Sequence, residues 1–146
     1  HISLSLARLA KMVDFRLVVV DDRPEFASRE RFPDADETIA GDFTALLPQL
    51  AVNGSSYIVI VTRGHQNDAR ILEWAARTEA AYVGMIGSKK KIRTIFDHLK
   101  TRGITEEQLS RVHSPIGLPI GAETPEEIAV SIMAEIIQVR RRSIST

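Results

Sequence analysis

The chain has 146 residues, 44% of them apolar and 26% charged, with lysines plus arginines and acids balanced at 19 each. That is enough for one domain with a proper core, and the balanced charge gives no field that would draw the chain to nucleic acid or to a membrane surface. Cysteine is absent, which excludes disulfides, thiolate metal ligands and cysteine catalysis and fits a cytoplasmic setting; no apolar run approaches the roughly 18 residues of a membrane span.

His1 to Val13 is predicted to be a helix, with Ile2, Leu6, Leu9, Ala10 and Val13 on one face. Arg16 to Asp21 (RLVVVD) reads as a strand buried on both faces. A short helix is expected over Pro24–Arg31 and a short strand over Glu37–Ala40, and Asp42 is placed to cap a helix running to Leu50. Tyr57–Val61 (YIVIV) is a second buried strand, followed by a helix from about Asn67 to Glu79, and Ala81–Ile86 (AYVGMI) is a third. Ser88–Thr101 is helical, with Ile92, Ile95, Phe96 and Leu99 inward and Gly103 just past its end. Thr105-Glu106-Glu107-Gln108 has the spacing of a capping box, ahead of a short strand near Val112.

Two Pro-Ile-Gly turns follow, at 115–117 and 119–121, and lead into an amphipathic helix ending near Arg140. Thr124 is its N-cap, Pro125 suits the first helical position, and Glu127 can reach back to the cap amide. The polar tail from Arg141 to Thr146 is expected to fray.

Strands alternating with helices through short loops predict a Rossmann-like, doubly wound parallel sheet with helices on both faces, forming one domain over residues 1–146. In such a sheet the strand before the first helix is central, between the RLVVVD and YIVIV strands. A strand ending in a glycine turn is therefore expected before His1, because two edges would otherwise go unpaired.

Asp21 and Asp22 close the Val-rich strand, where an acid in a dinucleotide fold takes ribose hydroxyls. The alternative is a solvated turn ahead of Arg23-Pro24. If a nucleotide binds there, the carboxylates disfavour a 2′-phosphate. Thr62-Arg63-Gly64-His65 follows the YIVIV strand at the carboxyl edge, where open parallel sheets keep their sites. Arg63 suits a paired grip on phosphate or carboxylate, and His65 suits proton transfer near neutral pH. The alternative is a polar turn with Asn67 or Asp68 capping the next helix.

Gly87-Ser88-Lys89 is another strand-to-helix junction, where amides and dipole attract anions. Lys89, Lys90 and Lys91 point in different directions around the helix, so at most two can serve one ligand, and the spacing is not that of a Walker motif. The alternative is a solvated basic first turn. No metal site is visible, and His98 and His113 read as structural.

TRGH after YIVIV, then YVGMIGSKKK, then SPIGLPIGAETPEEIAVSIMAEII resemble the C-terminal Rossmann domain of the xanthine dehydrogenase accessory factors, the XdhC/CoxI family. The opening, HISLSLARLAKMVDFRLVVVDDRPEFA, resembles the same domain from the histidine of its Gly-x-Gly-His turn onward, so the resemblance covers nearly the whole chain. It implies a protein that binds the molybdenum cofactor, protects it, assists its sulfuration and delivers it to a molybdenum hydroxylase of the xanthine dehydrogenase type. By this resemblance His1 ends the glycine turn, and Asp21 and Asp22 flank the cofactor cleft. Arg63, Gly64 and His65, then Gly87, Ser88 and Lys89, then the segment from Pro115 through Gly117 to Gly121 line it.

The implied partners are the hydroxylase and a cysteine desulfurase, and a homodimer is left open. This sequence lacks the glycines before His1 and the family's N-terminal domain with its cysteine, and a chain without cysteine cannot itself hold a persulfide. Two other readings share the fold, since fold does not fix function. One is an oxidoreductase that binds NAD(P), against which the lack of an evident substrate domain counts. The other is a non-catalytic nucleotide-sensing or dimerising module.

Overall fold

Every strand pairing in the computed structural model, which describes residues 1–62 and 65–145, is parallel. The helices are α1 (Ile2–Met12), α2 (Phe43–Leu46, continued by a 3-10 turn over Leu47–Gln49), α3 (His65–Ala76), α4 (Lys89–Thr101), α5 (Glu106–Ser110) and α6 (Pro125–Ser145). The strands are β1 (Val18–Asp21), β2 (Glu37–Ala40), β3 (Tyr57–Ile60), β4 (Tyr82–Met85) and β5 (Val112–His113). Parallel strands joined largely through helices make a Rossmann-type α/β chain, as the sequence predicts. It divides into two compact units, His1–Leu50 with Pro119–Met133 and Ala51–Leu118 with Ala134–Thr146.

In the first unit β1 pairs with β2 from Val18 opposite Glu37 to Asp21 opposite Ala40. Ala7, Phe32 and Ala35 are buried together, with Leu4, Leu17 and Val19 packed against them. The inward face of α1 therefore centres on Ala7 and Ala10 rather than on the predicted set of Ile2, Leu6, Leu9, Ala10 and Val13. Alanine lets the helix backbone lie close to its neighbours, and the larger residues stay half-buried along its flanks. Strand β1 is half-buried, not enclosed on both faces as its sequence suggests.

The helix predicted over Pro24–Arg31 is absent. The Phe26 and Ala27 amides both donate to the Arg23 carbonyl, at 3.0 and 3.2 Å, and make a single turn. The guanidinium groups of Arg23 and Arg31 lie over the Phe26 ring, 3.9 and 4.9 Å from its centroid, and hold the turn as it is. Asp42 caps α2 by accepting from the Thr44 amide at 3.1 Å. The α-helix does not reach Leu50 because Pro48, which has no amide proton, falls in the 3-10 turn.

In the second unit the strand order is β3-β4-β5. Strand β4 is buried along its whole length, and Leu72 of α3, Met85 of β4 and Leu99 of α4 are at most 1% exposed. Helix α4 turns Ile92, Ile95 and Leu99 inward at helical spacing, as predicted, whereas Phe96, also predicted inward, stays half-buried. Among the described residues β1 pairs only with β2, and β3 only with β4, so each leaves one edge open.

Helix α6 starts as predicted. Thr124 Oγ1 accepts from the Glu127 amide at 3.1 Å, and Glu127 Oε1 accepts from the Glu123 and Thr124 amides at 2.9 and 3.1 Å. Those amides hold the Glu127 carboxyl below its usual range. The helix continues to Ser145, five residues past the predicted end near Arg140, so the tail is helical to that point.

Leu99→Ala should lower stability by about 2–5 kcal/mol, since it opens a cavity in a site with almost no exposure. Thr124→Ala should cost only about 0.5–2 kcal/mol, the range for an N-cap. Urea unfolding of the two variants beside wild type measures both values and their order.

Candidate functional site

Two turns leave the carboxyl ends of adjacent strands in the second unit. The first runs from β4 into α4. The Ile86 amide donates to the Ile60 carbonyl at 3.0 Å and carries the parallel ladder one residue further, to the edge of Gly87. Gly87 has φ +154°, and the Lys91 stem passes 3.1 Å from where a Cβ would sit. Ser88 caps α4 by accepting from the Lys91 amide at 3.1 Å. The three lysines then diverge. Lys89 and Lys90 are exposed, whereas the Lys91 ammonium turns inward to the Asp68 carboxylate, whose side chain is 1% exposed. Lys91 is already neutralised, which leaves Lys89 and Lys90 as the cations available to an anion.

The second turn leaves β5 through His113, Ser114, Pro115, Ile116 and Gly117. It is pinned at two points. Ile116 sits on β4 where Gly84 has no side chain; a Cβ there would lie 2.7 Å from Ile116 Cδ1 and 2.7 Å from the Tyr82 hydroxyl. The Gly117 amide donates to Glu135 Oε1 at 3.0 Å, and the Tyr82 hydroxyl donates to the same oxygen at 2.7 Å. Burial first, and the bond to Glu135 second, push the Tyr82 phenol well above its usual range, so it stays a donor. Tyr82 also stacks on His113 with ring centroids 4.5 Å apart. His113 Nδ1 lies 3.5 Å from Glu135 Oε2.

A groove of about 400 Å³ opens between one side of α4 and the Ser114–Pro115 wall, with Ile92 and Phe96 as its apolar floor. Lys89, Arg93 and Lys100 line it, with Asp97 among them. Lys100 pairs with Glu106 at 2.7 Å, whereas Lys89 and Arg93 have no ion-pair partner among the described residues. The cationic rim and apolar floor suit a ligand with an anionic group on a flat or greasy body.

Other residues singled out in the sequence fall elsewhere. Arg63 and Gly64 lie outside the described residues, and His65 opens α3 with its side chain outside them. Asp21, at the end of β1, receives three bonds from Arg23: its amide at 3.0 Å, Nε at 3.2 Å and Nη2 at 3.4 Å. Burial alone would raise the Asp21 carboxyl, but the Arg23 bonds outweigh it and hold the group below its usual range. Asp22 is 3.8 Å from the same guanidinium. His1 is exposed at the N-cap of α1 and makes no side-chain capping bond. Gly121 belongs to the first unit, just ahead of the capped start of α6.

Glu135 and the orientation of His113 escaped the sequence reading. The signal for Glu135 was present, as an acid within the apolar periodicity of α6 between Ile132 and Ile136. An ionisable group on a buried face must have partners, and here it accepts two hydrogen bonds, with His113 Nδ1 nearby.

Parallel β-α units with glycine turns at the carboxyl edge of the sheet define a Rossmann-type domain. The chain belongs to the XdhC Rossmann domain family, whose pattern it matches over residues 1–136. It is 34% identical over 140 residues to a Bacillus subtilis protein named as a probable xanthine dehydrogenase subunit, covering 96% of this chain and 40% of that one. An uncharacterized Escherichia coli protein, YqeB, is 31% identical over 144 residues, covering 98% of this chain and 26% of that one. A crystal structure described as a xanthine dehydrogenase from Bacillus halodurans superposes with a TM-score of 0.82 at 36% identity, over 97% of this chain and 40% of that one. The chain thus spans less than half the length of these relatives.

Tyr82→Phe should destabilise the protein by about 1–3 kcal/mol near neutral pH, because a buried acceptor loses a donor. The raised phenol pKa means that the wild-type contribution is intact below the ordinary tyrosine value of about 10 and is lost as pH rises beyond it. Urea unfolding near pH 7 and near pH 11 should therefore show the gap between wild type and Tyr82→Phe narrowing at the alkaline end.

Proposed function

We propose that this chain is the cofactor-handling domain of an accessory protein for molybdenum hydroxylases of the xanthine dehydrogenase type. It binds the molybdenum cofactor, shields it, and takes part in its sulfuration and insertion, with the hydroxylase and a cysteine desulfurase as partners. The observation that carries this reading is the family match over residues 1–136, supported by a relative named as a probable xanthine dehydrogenase subunit.

The residues present fit a phosphate-bearing pterin. The junction at Gly87, Ser88 and Lys89 offers an exposed cation at a helix N-terminus, and the groove beside it has two free cations over an apolar floor. Pro115 forms part of the groove wall, and Gly117 is fixed by Glu135. Arg63, Gly64 and His65 join the proposed lining through their sequence position after β3. When bound, the cofactor supplies the molybdenum chemistry. The chain's residues grip its anionic end, orient it and exclude water. With no cysteine in the sequence, the sulfur is carried by another group.

An oxidoreductase that binds NAD(P) receives less support, because Asp21, which would take the ribose hydroxyls, is already engaged by Arg23.

Mass spectrometry of small molecules released from gently purified protein is expected to find a pterin. An adenine dinucleotide in its place would move the chain to the oxidoreductases. Lys89→Ala should weaken pterin binding by roughly 10 to 150-fold, the range for one charge-assisted hydrogen bond, and should flatten its salt dependence. Gly87→Val should also weaken it, by straining the backbone and displacing the Lys91 stem. Equal affinity in all three proteins would make this junction purely structural.

A further inference from the structure

We propose that Asp68 is the specificity-determining residue of the junction before α4. By holding Lys91 away, it matches the junction to one phosphate monoester and against longer, more highly charged phosphate chains. The inference deepens the cofactor reading and rests on it for the compound that carries the phosphate. Three consecutive lysines open α4, and one of them is withdrawn. The Lys91 side chain is 18% exposed and its ammonium is bound to the Asp68 carboxylate, whereas Lys89 and Lys90 are exposed. Ser88 Oγ accepts from the Lys91 amide, and the Ser88 carbonyl accepts from the Ile92 amide. The donors left at this end are the Lys89 and Lys90 amides, beside the ammonium groups of the same two residues.

Two cations balance a phosphate monoester, which carries about −1.5 to −2 charge near neutral pH. A third ammonium would shift the balance toward a diphosphate or triphosphate end. The Lys91 stem runs past Gly87, 3.1 Å from where a Cβ would sit, so an ammonium released from Asp68 would remain at the junction. What keeps it away is burial. Asp68 is 1% exposed, and neither of its oxygens has a hydrogen-bond partner among the described residues, so the Lys91 ammonium is its compensation. If Lys91 left to follow a phosphate, a buried carboxylate would stand uncompensated. That costs more than one exposed contact between charges returns. Lys91 therefore stays with Asp68 when the anion arrives.

The withdrawal of Lys91 is measurable without a ligand. Brief acetylation with acetic anhydride, located by tandem mass spectrometry, should modify Lys89 and Lys90 readily and spare Lys91 in the wild-type chain. In Asp68→Asn, which keeps the shape of the side chain and removes its charge, Lys91 should react like its neighbours. Equal labelling of the three lysines in wild type would overturn the proposal, and this reading needs no variant to fold.

Selectivity is read by titrating inorganic phosphate and pyrophosphate while following the Lys89 and Lys90 amide resonances of nitrogen-15-labelled protein. Asp68→Asn should bind pyrophosphate at least about 10-fold more tightly than wild type, the lower end for one charge-assisted hydrogen bond, and should gain less for phosphate. Asp68→Asn/Lys91→Met removes both charges of the pair and leaves neither partner buried alone, so it should return to wild-type selectivity. Unchanged selectivity in Asp68→Asn would overturn the inference. So would a gain that survives in the double variant, or amides that respond to neither anion in any of the proteins. The expected pattern in a protein that releases no pterin would sink the cofactor reading and leave the role of Asp68 standing.

Discussion

A carboxylate on a buried helix face has to be surrounded by donors, or the cost of removing it from water would unfold the segment that holds it. Glu135 meets this condition by drawing on two different elements, the Tyr82 hydroxyl from β4 and the Gly117 amide from the loop after β5, with His113 of β5 lying beside its other oxygen. The loop's course follows from that requirement. Its backbone is fixed at Gly117 by a bond to an ionisable acceptor, and its side chain at Ile116 is seated where Gly84 leaves room. The stretch around Ile116 and Gly117, which alone would sample many conformations, is thereby held in one.

The junction before α4 is organised by the same rule. Asp68 is buried in the first turn of α3, and Lys91 bends back to meet it. The glycine at 87 has as much to do with the path of that lysine stem as with any ligand. Among the described residues neither Asp68 oxygen has a further hydrogen-bond partner, and the buried Thr62 hydroxyl also lacks one. A buried pair so sparsely supported contributes little net stability, yet removing either partner alone would leave an uncompensated charge.

Much of the fold was legible because its signals are local. The Val-rich and Ile-rich runs gave the strands, and Asp42, Ser88, Thr105 and Thr124 gave helix starts that the structure reproduces as caps. What failed depended on contacts that no periodicity encodes, several of them distant in sequence. On the inward face of α1 Ala10 was read correctly, but Ala7 was missed because periodicity ranks residues by size, whereas close approach favours alanine. The segment after Pro24 was misread as a helix because its turns are held by two arginines stacking on Phe26, a geometry with no spacing signature. The glycine junction at 87 was legible as a site candidate, but the withdrawal of Lys91 was not, since Asp68 lies 23 residues earlier. The surroundings of His113 were hidden for the same reason, since Glu135 lies 22 residues further along the chain, on α6.

Gly84 and Ile116 share a single volume. The space of the glycine's missing side chain is filled by the isoleucine of the loop, so that a Cβ at 84 would meet its nearest atoms at less than 3 Å. Substitutions at these two positions are therefore coupled by sterics. A side chain at 84 has room only if Ile116 and the Tyr82 hydroxyl give way, which would unseat the loop from its present path. Position 84 thus acts as a gate on the shape of the groove wall, although it contributes no atom to the groove itself.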